Sequence, residues 1–250
     1  MFAVKGSRRH TNSRTRGDQM KLRASIAAGA AFLAIAVPMA AAAVINGTDN
    51  PEILYGTNRA DQISAGAGGD VVNGLKGHDR IGGGAGADML SGARGHDWVA
   101  GNEDDDVVRG GYGHDRLFGQ QGDDVVEGAW GHDVALGGSG NDRVFGGPGF
   151  DTLYAGPGED MLFGGRGHDV LIARADDNQV DFLICGPGWD IAYARANDVI
   201  HRSCERKVVV GGTETEPGDE EALPAPEARL SGDPNAGQTD PSDEDDHGKR

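Results

Sequence analysis

Aspartate recurs at every ninth position through the middle of the chain: Asp61, Asp70, Asp79, Asp88, Asp97, Asp106, Asp115, Asp124, Asp133, Asp142, Asp151, Asp160 and Asp169. Two residues after each stands an apolar side chain, from Ile63, Val72 and Ile81 through to Leu162 and Leu171. Two residues before it stands glycine in all but two cases, Arg59 and Asp104. Five before it glycine stands again, except at Ala65 and Ala155. A series of carboxylates in one register is an array of hard oxygen donors. Asn, Ser or Gly would serve a turn as well as Asp does, yet the position never varies. Its chemistry is therefore cation binding rather than chain reversal alone.

The elements that position these carboxylates follow from the unit G-G-x-G-x-D-x-U-x, shown whole by Gly83–Ser91. The x-U-x segment is a minimal strand, with U facing in and its neighbours out. The six residues before it must reverse the chain, and glycine allows the positive φ angles of a tight turn. Such turns aim several backbone carbonyls at one point, and a carboxylate in fixed register completes an all-oxygen site. Ca²⁺ takes about 6–8 oxygens at about 2.3–2.6 Å and tolerates irregular geometry.

The repeat resembles the RTX, or hemolysin-type, calcium-binding nonapeptide array, over roughly residues 47–192. The resemblance implies an all-β fold: a right-handed parallel β-roll, a solenoid with two nonapeptides in each 18-residue turn. It also implies that the thirteen aspartates bind multiple Ca²⁺ ions. Alternate repeats then form two columns, Asp61 to Asp169 and Asp70 to Asp160. Stacked carboxylates about 5 Å apart repel by about 3 kcal/mol per pair at an effective dielectric of about 20, so the roll should need its cations to fold. Arg59 and Asp104, standing in for glycine, mark Asp61 and Asp106 as the weakest positions, with Asp tolerating the left-handed region better than Arg.

The two edges differ in sequence. One carries His78, His96, His114, His132 and His168 just before Asp, with Lys76, Arg94, Tyr112, Trp130 and Arg166 two residues further back. The other is small or acidic. The basic, aromatic edge reads as a solvated face, as a docking edge for an anionic glycan or cell-surface partner, or as a second metal site held by stacked histidines. The outward position after U turns apolar toward the C-terminus (Phe118, Leu136, Tyr154, Ile172; Phe145, Phe163). This predicts that a C-terminal cap folds over both faces, or else that the faces self-associate.

Four segments follow: 1–43, 44–175, 176–210 and 211–250. In the first, Lys21 and Arg23 precede an apolar run from Ala24 to Val37, then Pro38 and Met39-Ala40-Ala41-Ala42-Ala43. This reads as a secretory signal peptide, too short for a membrane span, with Met20 an alternative start and Arg8-Arg9 a twin-arginine pair. Residues 44–175 are the roll. In 176–210, Asp181 and Asp190 restart the register three residues out of phase, and Cys185 stands where the first glycine of a half-repeat belongs. Asp190 joins the metal-ligand candidates. The segment resembles the closing segment of bacterial extracellular RTX-like proteins, which implies a Cys185–Cys204 disulfide. Residues 211–250 hold twelve acids, three bases and five prolines, the composition of a disordered tail.

Whole-chain composition agrees. With 43 glycines in 250 residues and a net charge of −17, the chain has little apolar volume for a conventional core and repels nucleic acid. Two cysteines rule out a disulfide-rich scaffold. No nucleophile–base pair, zinc-protease motif or phosphate loop appears, so no enzyme is expected. The expectation is a secreted, extracellular calcium-binding protein that folds on its ions. The alternative is an adhesin or lectin-like module with structural calcium.

Overall fold

The computed structural model describes residues 42–173, 175 and 177–210, together with the dipeptide strands Lys21–Leu22 and Ala34–Ile35. The remainder of the segment read as a signal peptide, and the acidic segment 211–250, lie outside the described residues. The two dipeptides lie parallel to Val44–Asn46 and Ile53–Tyr55.

The chain winds as a parallel β-solenoid of about nine turns. Consecutive strands fall alternately into two sheets, eleven strands in one and ten in the other among the described residues. Arg80–Ala85, Trp98–Glu103, Arg116–Gln121 and Val134–Ser139 are neighbours in the first sheet. Met89–Arg94, Val107–Tyr112, Val125–Trp130 and Arg143–Gly149 are neighbours in the second. The register is 18 residues: Leu117 lies opposite Val99 on one side and Ala135 on the other. A period of nine thus becomes a period of two strands per turn.

The core is one side chain wide. Ile63, Val72, Ile81, Leu90, Val99, Val108, Leu117, Val126, Ala135, Val144, Leu153, Leu162 and Leu171 form a continuous buried column. Alternation along each strand sends their neighbours to the two outer faces. This geometry explains how so little apolar residue volume suffices, since every U residue meets the facing sheet and the turns above and below.

The turns need the left-handed backbone region. In the repeat of Asp88, Gly84 and Gly86 have φ of +129° and +108°. Asp104 takes the same region in its turn, with φ of 74°, so the Asp106 repeat keeps the common geometry. Arg59 does not adopt it, and the Asp61 turn is built differently, as described below.

The register shift at the C-terminal end is an insertion. Thr152 pairs with Val170, 18 residues on, but Val170 pairs with Ile191 and Met161 with Phe182, 21 residues on. The strands Phe182–Ile184, Ile191–Arg195, Val199–Ile200 and Arg206–Val210 then extend both sheets. The expected cap across the faces is therefore corrected, because the C-terminal segment lengthens the solenoid instead of folding back over it. Outward apolar side chains cover one another along the ladder. Phe145 and Phe163 stack with ring centroids 4.9 Å apart and planes 6° apart, and Ile184 lies beside Phe163 in register.

Cys185 and Cys204 are bonded, with Cα atoms 5.1 Å apart. Both are buried in the core column, where they join the last turns. No helix among the described residues is long and apolar enough to cross a membrane.

Candidate metal centre

Each repeat aspartate stands at the last turn position before its strand and is buried, at 4% exposure or less. Its Oδ1 accepts the backbone N–H of the residue one turn earlier, which is Ala43 for Asp61, Glu52 for Asp70 and an aspartate from Asp79 on. Asp79 N–H donates to Asp97 Oδ1 at 2.7 Å, Asp97 N–H to Asp115 Oδ1 at 2.8 Å, and Asp115 N–H to Asp133 Oδ1 at 2.8 Å. The second column does the same, as in Asp88 N–H to Asp106 Oδ1 at 2.8 Å. The carboxylates thus form two continuous ladders, one down each edge of the roll.

The second oxygen is left over. Oδ2 of Asp70, Asp79, Asp88, Asp97, Asp106, Asp124, Asp142, Asp151, Asp160, Asp169 and Asp190 is buried and accepts no hydrogen bond. A buried carboxylate oxygen without a partner is costly, and the same arrangement recurs down both columns. In most repeats the glycine five residues earlier makes the room for it, with Ala65, Ala155 and Cys185 in that place before Asp70, Asp160 and Asp190. A Cβ on Gly146 would lie 2.5 Å from Asp151 Oδ2 and 2.5 Å from the Gly164 carbonyl oxygen of the next turn. A Cβ on Gly164 would meet Asp169 Oδ2 at 2.6 Å and the Cys185 carbonyl oxygen at 2.5 Å. At Gly146 and Gly164, carboxylate oxygen and next-turn carbonyl therefore face one cradle that a side chain there would enter.

Electrostatics points the same way. Burial raises Asp79 and Asp160 to about 8, Asp106, Asp142 and Asp169 to about 7, and Asp88, Asp97 and Asp124 to about 6. The N–H bond from the preceding turn works against burial. The carboxylates of Asp61 and Asp97 push Asp79 further up, and Asp133 and Asp169 do so for Asp151. At neutral pH such a column needs protons or cations. Among the described residues no three His, Cys, Asp or Glu side chains converge on one point. A cation in the cradles would therefore take much of its shell from backbone carbonyls, which suits a hard, oxygen-seeking ion and not a zinc-type site.

The residue series matches a known repeat. Four copies of the family model for the RTX calcium-binding nonapeptide repeat match the chain, at residues 46–81, 66–99, 100–135 and 136–171. The chain belongs to the RTX calcium-binding nonapeptide repeat family. Comparison with curated proteins gives no match. The described part of this RTX protein is thus a calcium-binding repeat array in a β-roll.

The structure brings all fourteen candidate aspartates into the two columns. Asp61 to Asp169 continues to Asp190, whose Oδ1 accepts Asp169 N–H at 2.8 Å. The series from Asp70 to Asp160 continues to Asp181, whose Oδ1 accepts Asp160 N–H at 2.9 Å. Asp181 was not among the sequence candidates, although its out-of-phase spacing marked it. Three further carboxylates extend the ladders: Glu52 N–H donates to Asp70 Oδ1, Asp198 accepts from Asp181, and Glu205 accepts from Asp190. Glu52 stands nine residues before Asp61, so its signal was the register, with Glu in place of Asp.

The histidine edge is a second ladder. His78, His96, His114 and His132 stack with centroids 4.8–4.9 Å apart. Each Nδ1 accepts the backbone N–H of the residue one turn on, as in His96 N–H to His78 Nδ1 at 2.8 Å. That bond requires Nδ1 to be unprotonated and holds each ring flat on the next.

Proposed function

We propose that this RTX protein is exported and folds outside the cell as its two aspartate columns take up calcium, and that the resulting roll is a structural element and not a catalyst. The observation that carries this reading is the buried Oδ2 atom, repeated turn after turn beside a next-turn carbonyl. The residues that would hold the ions are Asp70, Asp79, Asp88, Asp97, Asp106, Asp115, Asp124, Asp133, Asp142, Asp151, Asp160, Asp169 and Asp190, with Asp61 at the margin of the array. Calcium supplies the positive charge that the columns otherwise lack. The aspartates orient their carboxylates through the N–H ladder, and the glycines exclude side chains from the cradles. The amino-terminal basic, apolar and small-residue stretch supports export, and extracellular calcium is abundant enough for sites of modest affinity.

The test is folding of the full chain followed by circular dichroism. In chelator the β signal should be largely absent, and it should appear as Ca²⁺ reaches about 10⁻⁴–10⁻³ M. Mg²⁺ should not replace it, because it demands near-octahedral geometry and gives up water reluctantly. A chelated chain with full β signal and a sharp thermal transition would overturn the reading.

One observation favours a second reading, an adhesin or lectin-like module. Trp130 is 50% exposed and stacks on Tyr112 with centroids 6.3 Å apart, and Arg94 lies over Tyr112. An exposed ring stacked on a half-buried one beside a cation suits sugar faces and anionic groups. A glycan array probed with the calcium-loaded chain decides it: binding lost in Trp130→Ala supports the module, and no binding rejects it.

A further inference from the structure

The first turn of the roll has the same ladder as the others but a different partner for its second oxygen. Glu52 and Asp61 both follow the pattern G-T-x-x-x-acid, in Gly47-Thr48 to Glu52 and Gly56-Thr57 to Asp61. Thr48 N–H donates to Glu52 Oε2 at 2.8 Å, and its hydroxyl to Glu52 Oε1 at 2.8 Å. Thr57 N–H donates to Asp61 Oδ2, and its hydroxyl to Asp61 Oδ1 at 3.0 Å. The orphaned oxygens begin one repeat later, at Asp70.

The backbone explains the exchange. At the position of Thr57, the next three repeats carry Gly66, Leu75 and Gly84 with φ of 117°, 77° and 129°. Thr57 does not adopt that region, and its N–H turns inward onto its own repeat's carboxylate. The cradle itself persists. A Cβ on Gly56 would lie 2.9 Å from Asp61 Oδ2, with the Gly74 carbonyl oxygen at the same spot. What differs is the donor that fills it.

We infer that Thr48 and Thr57 are calcium-excluding residues: their N–H and hydroxyl groups do for Glu52 and Asp61 what a calcium ion does for the interior aspartates, so the calcium array starts at Asp70 and Asp79. This rests on the calcium reading above and sharpens it. Asp61 keeps its place in the repeat and in the column, but it is a structural carboxylate. It also follows that the repeat can be converted, because Thr57→Gly with Arg59→Gly restores Gly-Gly-x-Gly-x-Asp around Asp61.

The experiment counts bound Ca²⁺ per full-length chain at saturation, by direct titration and by metal analysis of the dialysed protein. Asp61→Asn should leave the count unchanged, whereas Asp97→Asn should lower it. The Thr57→Gly/Arg59→Gly variant should bind one more ion than the wild type, and Thr57→Ser should match the wild type. A lower count in Asp61→Asn, or an unchanged count in a folded double variant, overturns the assignment. Should the double variant fail to fold in calcium, the comparison of Asp61→Asn with Asp97→Asn decides alone. A wild-type chain that binds no calcium overturns the calcium reading itself, and this assignment with it.

Discussion

The aspartate at the end of each turn does two jobs with its two oxygens. Oδ1 closes the turn-to-turn ladder, and in the interior repeats, as at Asp97, Oδ2 faces a glycine-lined cradle, whereas at Asp61 it accepts Thr57 N–H. Asp115→Ala removes both, leaving Asp97 N–H without its acceptor and a mid-column position without its carboxylate. It should destabilise the calcium-loaded roll by about 1–3 kcal/mol and weaken calcium binding and its cooperativity. Asp219→Ala, in the segment 211–250, should do neither. Thermal melts and calcium titrations of the two variants check this, and equal effects would mean that bulk charge, not the repeat, captures the ions. The glycine side of the cradle is as demanding. Gly146→Ala places a methyl against Asp151 Oδ2 and the Gly164 carbonyl, where backbone cannot easily move. A loss of about 1–3 kcal/mol, with weaker calcium binding, is the expected result in the same two assays.

Strands in this fold are short and gain little from local propensity, so the ladder between turns carries their stability. That is why a three-residue insertion before Phe182 is absorbed: pairing resumes at a spacing of 21 residues, and both the core column and the aspartate columns stay continuous. The end of such a ladder is an open edge, and the Cys185–Cys204 bond ties the last turns together there. Its separation of 19 residues is worth about 3 kcal/mol in the chain-entropy model. Replacing both cysteines by serine should lower the melting temperature of the calcium-loaded chain accordingly. Amide exchange should show the loosening concentrated in Phe182–Ile184, Ile191–Arg195 and Arg206–Val210, and a uniform loss of protection would contradict this account. The pairing was implied by resemblance to closing segments of other repeat proteins, whereas the way those strands sit was not. Outward apolar residues such as Phe145 and Phe163 suggested a covering layer, because spacing reports which face a side chain occupies but not whether its own neighbours in the ladder suffice to cover it.

For the molecule as a whole, the two columns make stability depend on pH in opposite directions with and without calcium. Asp79 and Asp160 are raised to about 8 and Asp106, Asp142 and Asp169 to about 7, from an ordinary 3.8, by burial and then by neighbouring carboxylates. A carboxyl raised in the folded state favours folding below its unfolded pKa and loses that contribution as pH climbs through the folded value. The chelated chain should therefore hold more β structure at pH 5 than at pH 8. With calcium the sign reverses, because the ligands must be ionised and binding releases protons. Circular dichroism at the two pH values, in chelator and in millimolar calcium, gives the four measurements. A chelated chain that is more structured at pH 8 would show that the buried carboxylates are not what opposes folding.

The nine-residue period by itself established the inward column from Ile63 to Leu171 and the register of the aspartates, because a solenoid repeats in space what its sequence repeats in order; the two-strand turn, and so the split of the aspartates into two rows, was implied by the resemblance that the repeat carries. With that 18-residue turn, the spacing of His78, His96, His114 and His132 put them on one edge. Only the tertiary structure decided which atoms are satisfied. That Oδ1 is used by the preceding turn while Oδ2 is not, that Thr57 supplies Asp61 where no residue supplies Asp79 Oδ2, and that His Nδ1 accepts a backbone N–H all depend on groups 18 residues apart meeting at hydrogen-bond distance. Asp181, Glu52, Asp198 and Glu205 entered the ladders for the same reason: spacings of 21, 18, 17 and 15 residues are joined by the path of the backbone, and no fixed period in the sequence contains them all.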